Sequence, residues 1–159
     1  MKRALIGVLV VPAAMVWAWA CGSSSPSGPA KVFNLTLTPA NETPPCTDAG
    51  VNATGTAKVT IAGDNSSVIA DVTYSGLSST VVAAHIHAGT PAAAGPVVLP
   101  FPGPYDSPFS KTLTAADYMG ATGLPDFPTF LSELKDGGAG YINLHTTACQ
   151  GGEIRAEIQ

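Results

Sequence analysis

Short segments in which apolar and polar residues alternate run through most of this chain, and they restrict what it can fold into. Every second residue from Phe33 to Leu37 is apolar, and residues 55–61 repeat the pattern. A period of two places the apolar side chains of a strand on one face, which is typical of a sheet with one buried face. The chain is therefore predicted to be all-β.

The same pattern, with turn residues between its segments, predicts seven or eight short strands. They are residues 31–38, 55–61, 68–74, 81–87, 96–101, 109–114, 140–146 and 153–158. Pro128 to Lys135 is predicted to be a short helix, and a helical turn capped by Thr114 is predicted at residues 114–118. Short strands at regular spacing favour an antiparallel, immunoglobulin-like β-sandwich or barrel.

The first 20 residues have a different character from the rest of the chain. Lys2 and Arg3 precede an apolar run over residues 4–19, and the small residue Ala20 precedes Cys21. This order is typical of a secretory signal. No later apolar run approaches the roughly 18–20 residues that span a bilayer, and the remaining cationic residues form no basic patch that would bind nucleic acid.

The segment around Cys21 resembles the lipobox of bacterial lipoproteins, in which the signal is cut before the cysteine and the cysteine is acylated. It departs from that pattern at Ala18, where Leu is usual. Two alternatives stay open: an ordinary cleaved signal with Cys21 incidental, and an uncleaved anchor. Residues 22–30 contain only Gly, Ser, Pro and Ala, which is typical of a tether.

These features divide the chain into three parts. We predict a lipoprotein signal peptide at residues 1–20, a flexible tether at 21–30 and one folded domain at 31–159. The predicted location is the bacterial cell envelope, with a lipid anchor in the outer membrane or at the cell surface.

The three cysteines would leave one odd thiol in an oxidising compartment. If Cys21 carries the lipid, Cys46 and Cys149 remain as a pair. Because export implies an oxidising compartment, we predict a disulfide between them.

All three histidines lie in two of the predicted strands. His85 and His87 share a face about 6.5–7 Å apart, and His145 lies near the end of strand 140–146. If the two strands pair or face each other, three imidazoles converge, which suits copper or zinc. The alternative is that the histidines are hydrogen-bonding strand residues that rigidify one end of the sandwich.

Several motifs follow one another in a fixed order: Ala84–Gly89, Gly95–Val98, Leu134–Gly137, Tyr141–Thr146 and Gly152–Arg155, preceded by residues 41–45 and 55–57. Together they resemble the CHRD domain, a family first described in chordin and found in many exported bacterial proteins, with residues 41–45 and 55–57 matching the start of the pattern. The resemblance covers nearly all of residues 31–159. It implies an immunoglobulin-like β-barrel related to copper/zinc superoxide dismutase, but the chain lacks that enzyme's fourth histidine and its zinc-binding cluster.

The resemblance implies no enzymatic activity, and the chain contains no nucleophile elbow, phosphate-binding glycine loop or zincin helix. We therefore predict a non-enzymatic binding or structural module with an unidentified protein or glycan partner. The alternative function is copper or zinc binding through His85, His87 and His145.

Three charged residues complete the set of candidates. Glu153 and Arg155 are predicted to form a structural ion pair across the sheet, or else to line a binding surface. Glu42, beside two prolines, is predicted to accept hydrogen bonds that fix a loop, with a role as a ligand as the alternative.

Overall fold

The computed structural model of the chain describes residues 28–159. The predicted signal peptide, Cys21 and most of the predicted tether therefore lie outside the described residues. The strands are β1 (Lys31–Leu37), β2 (Thr54–Ile61), β3 (Val68–Ser75), β4 (Val81–Ala88), β5 (Val97–Pro100), β6 (Phe109–Leu113), β7 (Gly140–Thr146) and β8 (Ile154–Glu157). The helix is α1 (Phe127–Lys135), and 3₁₀ turns occupy Pro39–Asn41 and Ala115–Asp117.

The strands form two antiparallel sheets of four strands each. The order is β1-β2-β3-β6 in the first sheet and β5-β4-β7-β8 in the second. Thr38 and Arg155 exchange backbone hydrogen bonds of 3.1 and 3.2 Å, which join the end of β1 to β8. The predicted all-β sandwich is confirmed.

The alternation in the sequence accounts for the core between the sheets. In β2 the side chains of Ala57, Val59 and Ile61 are buried, whereas Thr56 and Lys58 are exposed on the outer face. The first sheet is therefore half-buried, as a period of two requires.

One end of the sandwich is covered by α1, whose four buried residues are Phe127, Phe130, Leu131 and Leu134. Asp126 caps the helix by accepting a hydrogen bond from the Thr129 N–H at 2.8 Å. The predicted turn after Thr114 is also confirmed, since Thr114 and Asp117 form a capping box. Between residues 28 and 159 no helix is long and apolar enough to cross a membrane.

The second sheet is covered on its outer face as well. Every residue of β7 is buried, because residues 39–50 and the loop of residues 89–96 lie over this sheet and make hydrogen bonds to its side chains. The predicted disulfide between Cys46 and Cys149 is present, with the two Cα atoms 5.8 Å apart. It ties the first of these covering segments to the turn between β7 and β8.

Candidate metal centre

The three histidines lie on the outer face of the second sheet, under the covering segments. His85 and His87 point outward from β4, whereas Ile86 between them is fully buried in the core. Strand β7 pairs antiparallel with β4, with His145 opposite Ala83 and next to His85 on the same face. Strand pairing therefore brings the three imidazoles together, as the spacing predicts.

The imidazoles are close enough to share one ion. One nitrogen from each ring can be chosen so that the three atoms lie within 4.8 Å of one another. His85 Nδ1 and His145 Nε2 are 3.1 Å apart. Since metal–nitrogen bonds are about 2.0–2.1 Å long, two ligands of one ion lie at most about 4.2 Å apart. Binding would thus require a contraction of at least about 0.6 Å at the widest point of the cluster, and more in a tetrahedral site.

Backbone carbonyl groups fix the orientation of two of the rings. The Nδ1 atoms of His87 and His145 lie 2.9 Å from the carbonyl oxygens of Gly95 and Gln150. A carbonyl only accepts, so both rings carry their proton on Nδ1 and leave Nε2 unprotonated. A ligating histidine is held in this way in most metal sites.

The Nε2 atom of His87 is buried and has no hydrogen-bond partner among the described residues. Leaving a buried polar atom unpaired costs about 1–3 kcal/mol. Because His145 Nε2 also carries no proton, it accepts the Nδ1–H of His85. If the proton of His85 moved from Nδ1 to Nε2 of the same ring, a cation could replace this hydrogen bond and would at the same time give His87 Nε2 a partner.

The surroundings favour neutral imidazoles. Burial, followed by repulsion from His145 and His87, lowers the pKa of His85 to about 4. Burial also lowers the pKa of His87 and of His145, although the Gly95 and Gln150 carbonyls oppose it. At pH 7 the cluster therefore offers three uncharged nitrogen ligands, the form in which imidazole binds metals.

A model of the CHRD domain matches residues 33–158, which include all three histidines and both bridged cysteines. The chain belongs to the CHRD domain family. No curated protein and no solved structure matches it. The family resemblance seen in the sequence motifs is thus confirmed over nearly the whole described part of the chain.

The predicted ion pair between Glu153 and Arg155 is wrong, because Arg155 pairs with a different carboxylate. In this CHRD domain Arg155 pairs with Glu157, with 2.7 Å between the guanidinium and the carboxylate. The guanidinium lies over the ring of Tyr141, whose partner on β8 is Glu157. Glu157 is therefore the carboxylate within reach of the stacked guanidinium.

Glu153 instead joins two loops and the end of β7, at the end of the sandwich where the disulfide lies. Its buried carboxylate accepts hydrogen bonds from the Gly50 N–H, from the N–H and hydroxyl of Ser78, and from the Thr146 hydroxyl. Burial alone raises the pKa of Glu153, but these hydrogen bonds outweigh it and hold the pKa below its ordinary value. Glu153 therefore has a structural role in this CHRD domain.

Glu42 lies beside the histidine face as a buried carboxylate. The amide group of Asn143 donates to both of its oxygens at 2.9 Å. Burial raises the pKa of Glu42 to about 7, although the Arg155 guanidinium and the Asn143 hydrogen bond lower it. The sequence-based prediction that Glu42 accepts hydrogen bonds agrees with these contacts, and its burial was not predictable from its surrounding prolines.

Tyr141 was missed as a residue of the site. Its ring stacks on His87, with centroids 4.6 Å apart and planes inclined by 9°. The signal in the sequence is that Tyr141 alternates with Asn143 and His145 on one face of β7. An aromatic residue on the predicted polar face of a strand can indicate that the face is covered.

Proposed function

We propose that this CHRD domain binds one copper or zinc ion through His85, His87 and His145. The observation that carries the proposal is the unpartnered Nε2 of buried His87, which belongs to a cluster whose ligand nitrogens lie within 4.8 Å. Two of the three rings are held in the tautomer that a metal requires. This arrangement supports a ligand role better than a purely structural role for the histidines.

The chemistry of the donors supports the choice of metal. Imidazole nitrogen suits zinc and copper, whereas magnesium and calcium take oxygen ligands. Among the described residues, the metal-binding cluster consists of these histidines alone, without a carboxylate or thiolate. We propose that the module holds the ion without catalysing a reaction.

Metal titration of the purified protein, prepared without a polyhistidine tag, tests this proposal. We expect one equivalent of Cu²⁺ or Zn²⁺ to bind in isothermal titration calorimetry at pH 7.5. Loss of a residue that merely orients a ligand costs 10–100-fold in affinity, so His87→Ala and His145→Ala are each expected to cost about 100-fold or more.

The matched control is Lys58→Ala, which removes an exposed polar side chain from the outer face of the opposite sheet. Its affinity should equal that of the wild type. The absence of stoichiometric binding, or equal affinities for the wild type and both histidine variants, would contradict the proposal.

We further propose that the module is exported and held at the bacterial cell envelope by a lipid on Cys21. The support is the signal-like segment before this cysteine, the lipobox resemblance and the Gly-, Ser- and Pro-rich tether. The Cys46–Cys149 disulfide agrees with an oxidising compartment. The proposed partners are therefore the membrane and the metal ion.

Mass spectrometry of the protein recovered from a bacterial membrane fraction tests the anchor. We expect the mature N-terminus to be Cys21 carrying a thioether-linked lipid, and Cys21→Ala to abolish this modification. A chain that begins with unmodified Cys21, or one that retains Met1, would instead identify an ordinary signal or an uncleaved anchor.

A further inference from the structure

Tyr141 lies between a proposed metal ligand and a buried cation. His87 of β4 stacks against its ring, and the guanidinium carbon of Arg155 lies 3.3 Å from the ring centroid. Because β7 lies between β4 and β8 in the sheet, the two neighbours approach the ring from opposite sides. The stack fixes the plane of the His87 ring.

The hydroxyl of Tyr141 bonds to Gly95, whose carbonyl orients His87. It accepts a hydrogen bond from the Gly95 N–H at 3.0 Å, and the carbonyl of the same Gly95 accepts the His87 Nδ1–H at 2.9 Å. A Cβ atom at position 95 would come within 1.7 Å of the Ala88 carbonyl oxygen, so only glycine fits this close approach. Tyr141 therefore contacts both the ring of His87 and the residue that accepts its Nδ1–H.

The other end of the covering loop is held by the same stack. The guanidinium of Arg155 donates a hydrogen bond to the Thr90 carbonyl at 2.8 Å, while it also pairs with Glu157. Both ends of the segment from Thr90 to Gly95 are thus attached to the His87–Tyr141–Arg155 stack. An ordered loop keeps the Gly95 carbonyl in place.

We infer that Tyr141 is the positioning residue of the metal site: through Gly95 it holds His87 as the Nδ1–H tautomer, with Nε2 free to bind the ion. This inference rests on the proposed metal function. It assigns Tyr141 no contact with the ion, because its hydroxyl is engaged by the loop.

Tyr141→Phe isolates the hydroxyl, since phenylalanine keeps the ring that stacks on His87 and Arg155. We expect ¹⁵N-detected histidine spectra of the metal-free variant to show a measurable population of the Nε2–H tautomer of His87. In the wild type this ring should be the Nδ1–H tautomer. Affinity for Zn²⁺ should fall by about 10-fold, within the range for residues that orient a ligand.

Tyr118→Phe is the matched control, because it removes another tyrosine hydroxyl that bonds to the backbone; this hydroxyl donates to the Leu124 carbonyl at 3.0 Å. It should leave both the His87 tautomer and the Zn²⁺ affinity unchanged. Loss of either hydroxyl is expected to change the thermal stability, so a stability change alone does not identify a positioning role. The tautomer of His87 is therefore the decisive measurement.

The outcomes for the two proposals are separate. The positioning role is overturned if His87 of the wild type is the Nε2–H tautomer, a result that needs no variant. It is also overturned if Tyr141→Phe leaves the tautomer population of His87 unchanged. If the wild type binds neither Cu²⁺ nor Zn²⁺, the metal function fails, and the tautomer spectra of the metal-free protein still decide whether Tyr141 orients His87.

Discussion

Loss of the disulfide between Cys46 and Cys149 is expected to lower the free energy of unfolding by about 4–5 kcal/mol. The bond joins residues separated by 103 positions, and closing so long a loop removes much of the conformational freedom of the unfolded chain. Few single contacts in a domain of this size contribute as much.

Urea denaturation of the double variant Cys46→Ala/Cys149→Ala measures this loss. We expect a lower midpoint than for the oxidised wild type, and a similar shift for the wild type after reduction. Reduction of the double variant is the control and should change nothing. Equal midpoints for the oxidised and reduced wild type would show that the bridge does not constrain the unfolded chain.

The position of the bridge also relates it to the histidine cluster. Cys149 precedes Gln150, whose carbonyl accepts the Nδ1–H of His145. Cys46 belongs to the segment that places Glu42 on Asn143. The disulfide therefore holds the covering segment of residues 39–50 and the turn between β7 and β8 against the sheet that carries the histidines, in addition to stabilising the fold.

Much of the sandwich was predictable because alternation reports directly on a sheet with one buried face. Strand β2 shows this, since the alternation of buried and exposed residues along it follows the alternation of apolar and polar residues in the sequence. The convergence of the histidines was predictable for a similar reason. The two histidines of a His-x-His strand lie on the same face. The three imidazoles therefore converge once the strand of His145 lies beside that face.

The covering of that face was not predictable from alternation. A polar face of a strand predicts exposure to solvent, yet Arg155 has only 1% of its surface exposed and Glu153 none. The segments that bury them lack any periodicity, because they are held by individual hydrogen bonds from backbone groups such as Gly50 N–H and Thr90 C=O. Such contacts depend on the folded chain path and leave no repeating signal in the sequence.

The prediction that Arg155 pairs with Glu153 was wrong for the same reason: contacts between distant parts of the chain decide the pairing. Glu153 and Glu157 each lie two residues from Arg155 in the predicted strand 153–158, so the spacing does not distinguish them. The choice is made by neighbours that are distant in sequence: Ser78 and Gly50 occupy Glu153. Stacking on Tyr141 then places the guanidinium beside Glu157.

Glu42→Gln is expected to stabilise the metal-free protein at pH 8 and to have little effect at pH 4.5. Burial raises the pKa of Glu42 from 4.5 to about 7, so the unfolded chain ionises this group at a lower pH than the folded protein does. The folded state is therefore destabilised progressively as the pH rises from about 4.5 to 7. At 1.36 kcal/mol per pKa unit, the full difference is about 3 kcal/mol above pH 7.

Glutamine resembles the protonated carboxyl group in shape and in charge, which is why the variant should match the wild type at pH 4.5. Urea denaturation at the two pH values measures the difference. Glu133→Gln, which removes a carboxylate from an exposed position of α1, reports the general effect of losing one negative charge.

The result distinguishes burial from attraction as the dominant influence on Glu42. Arg155 lies on the same face and carries a positive charge that favours the ionised carboxylate, although its own ion pair with Glu157 offsets part of that attraction. If attraction dominated, Glu42→Gln would destabilise the protein at pH 8 and the loss would shrink towards pH 4.5. A stabilisation confined to high pH is the outcome that burial requires, because only the charged form of Glu42 is penalised by its removal from water.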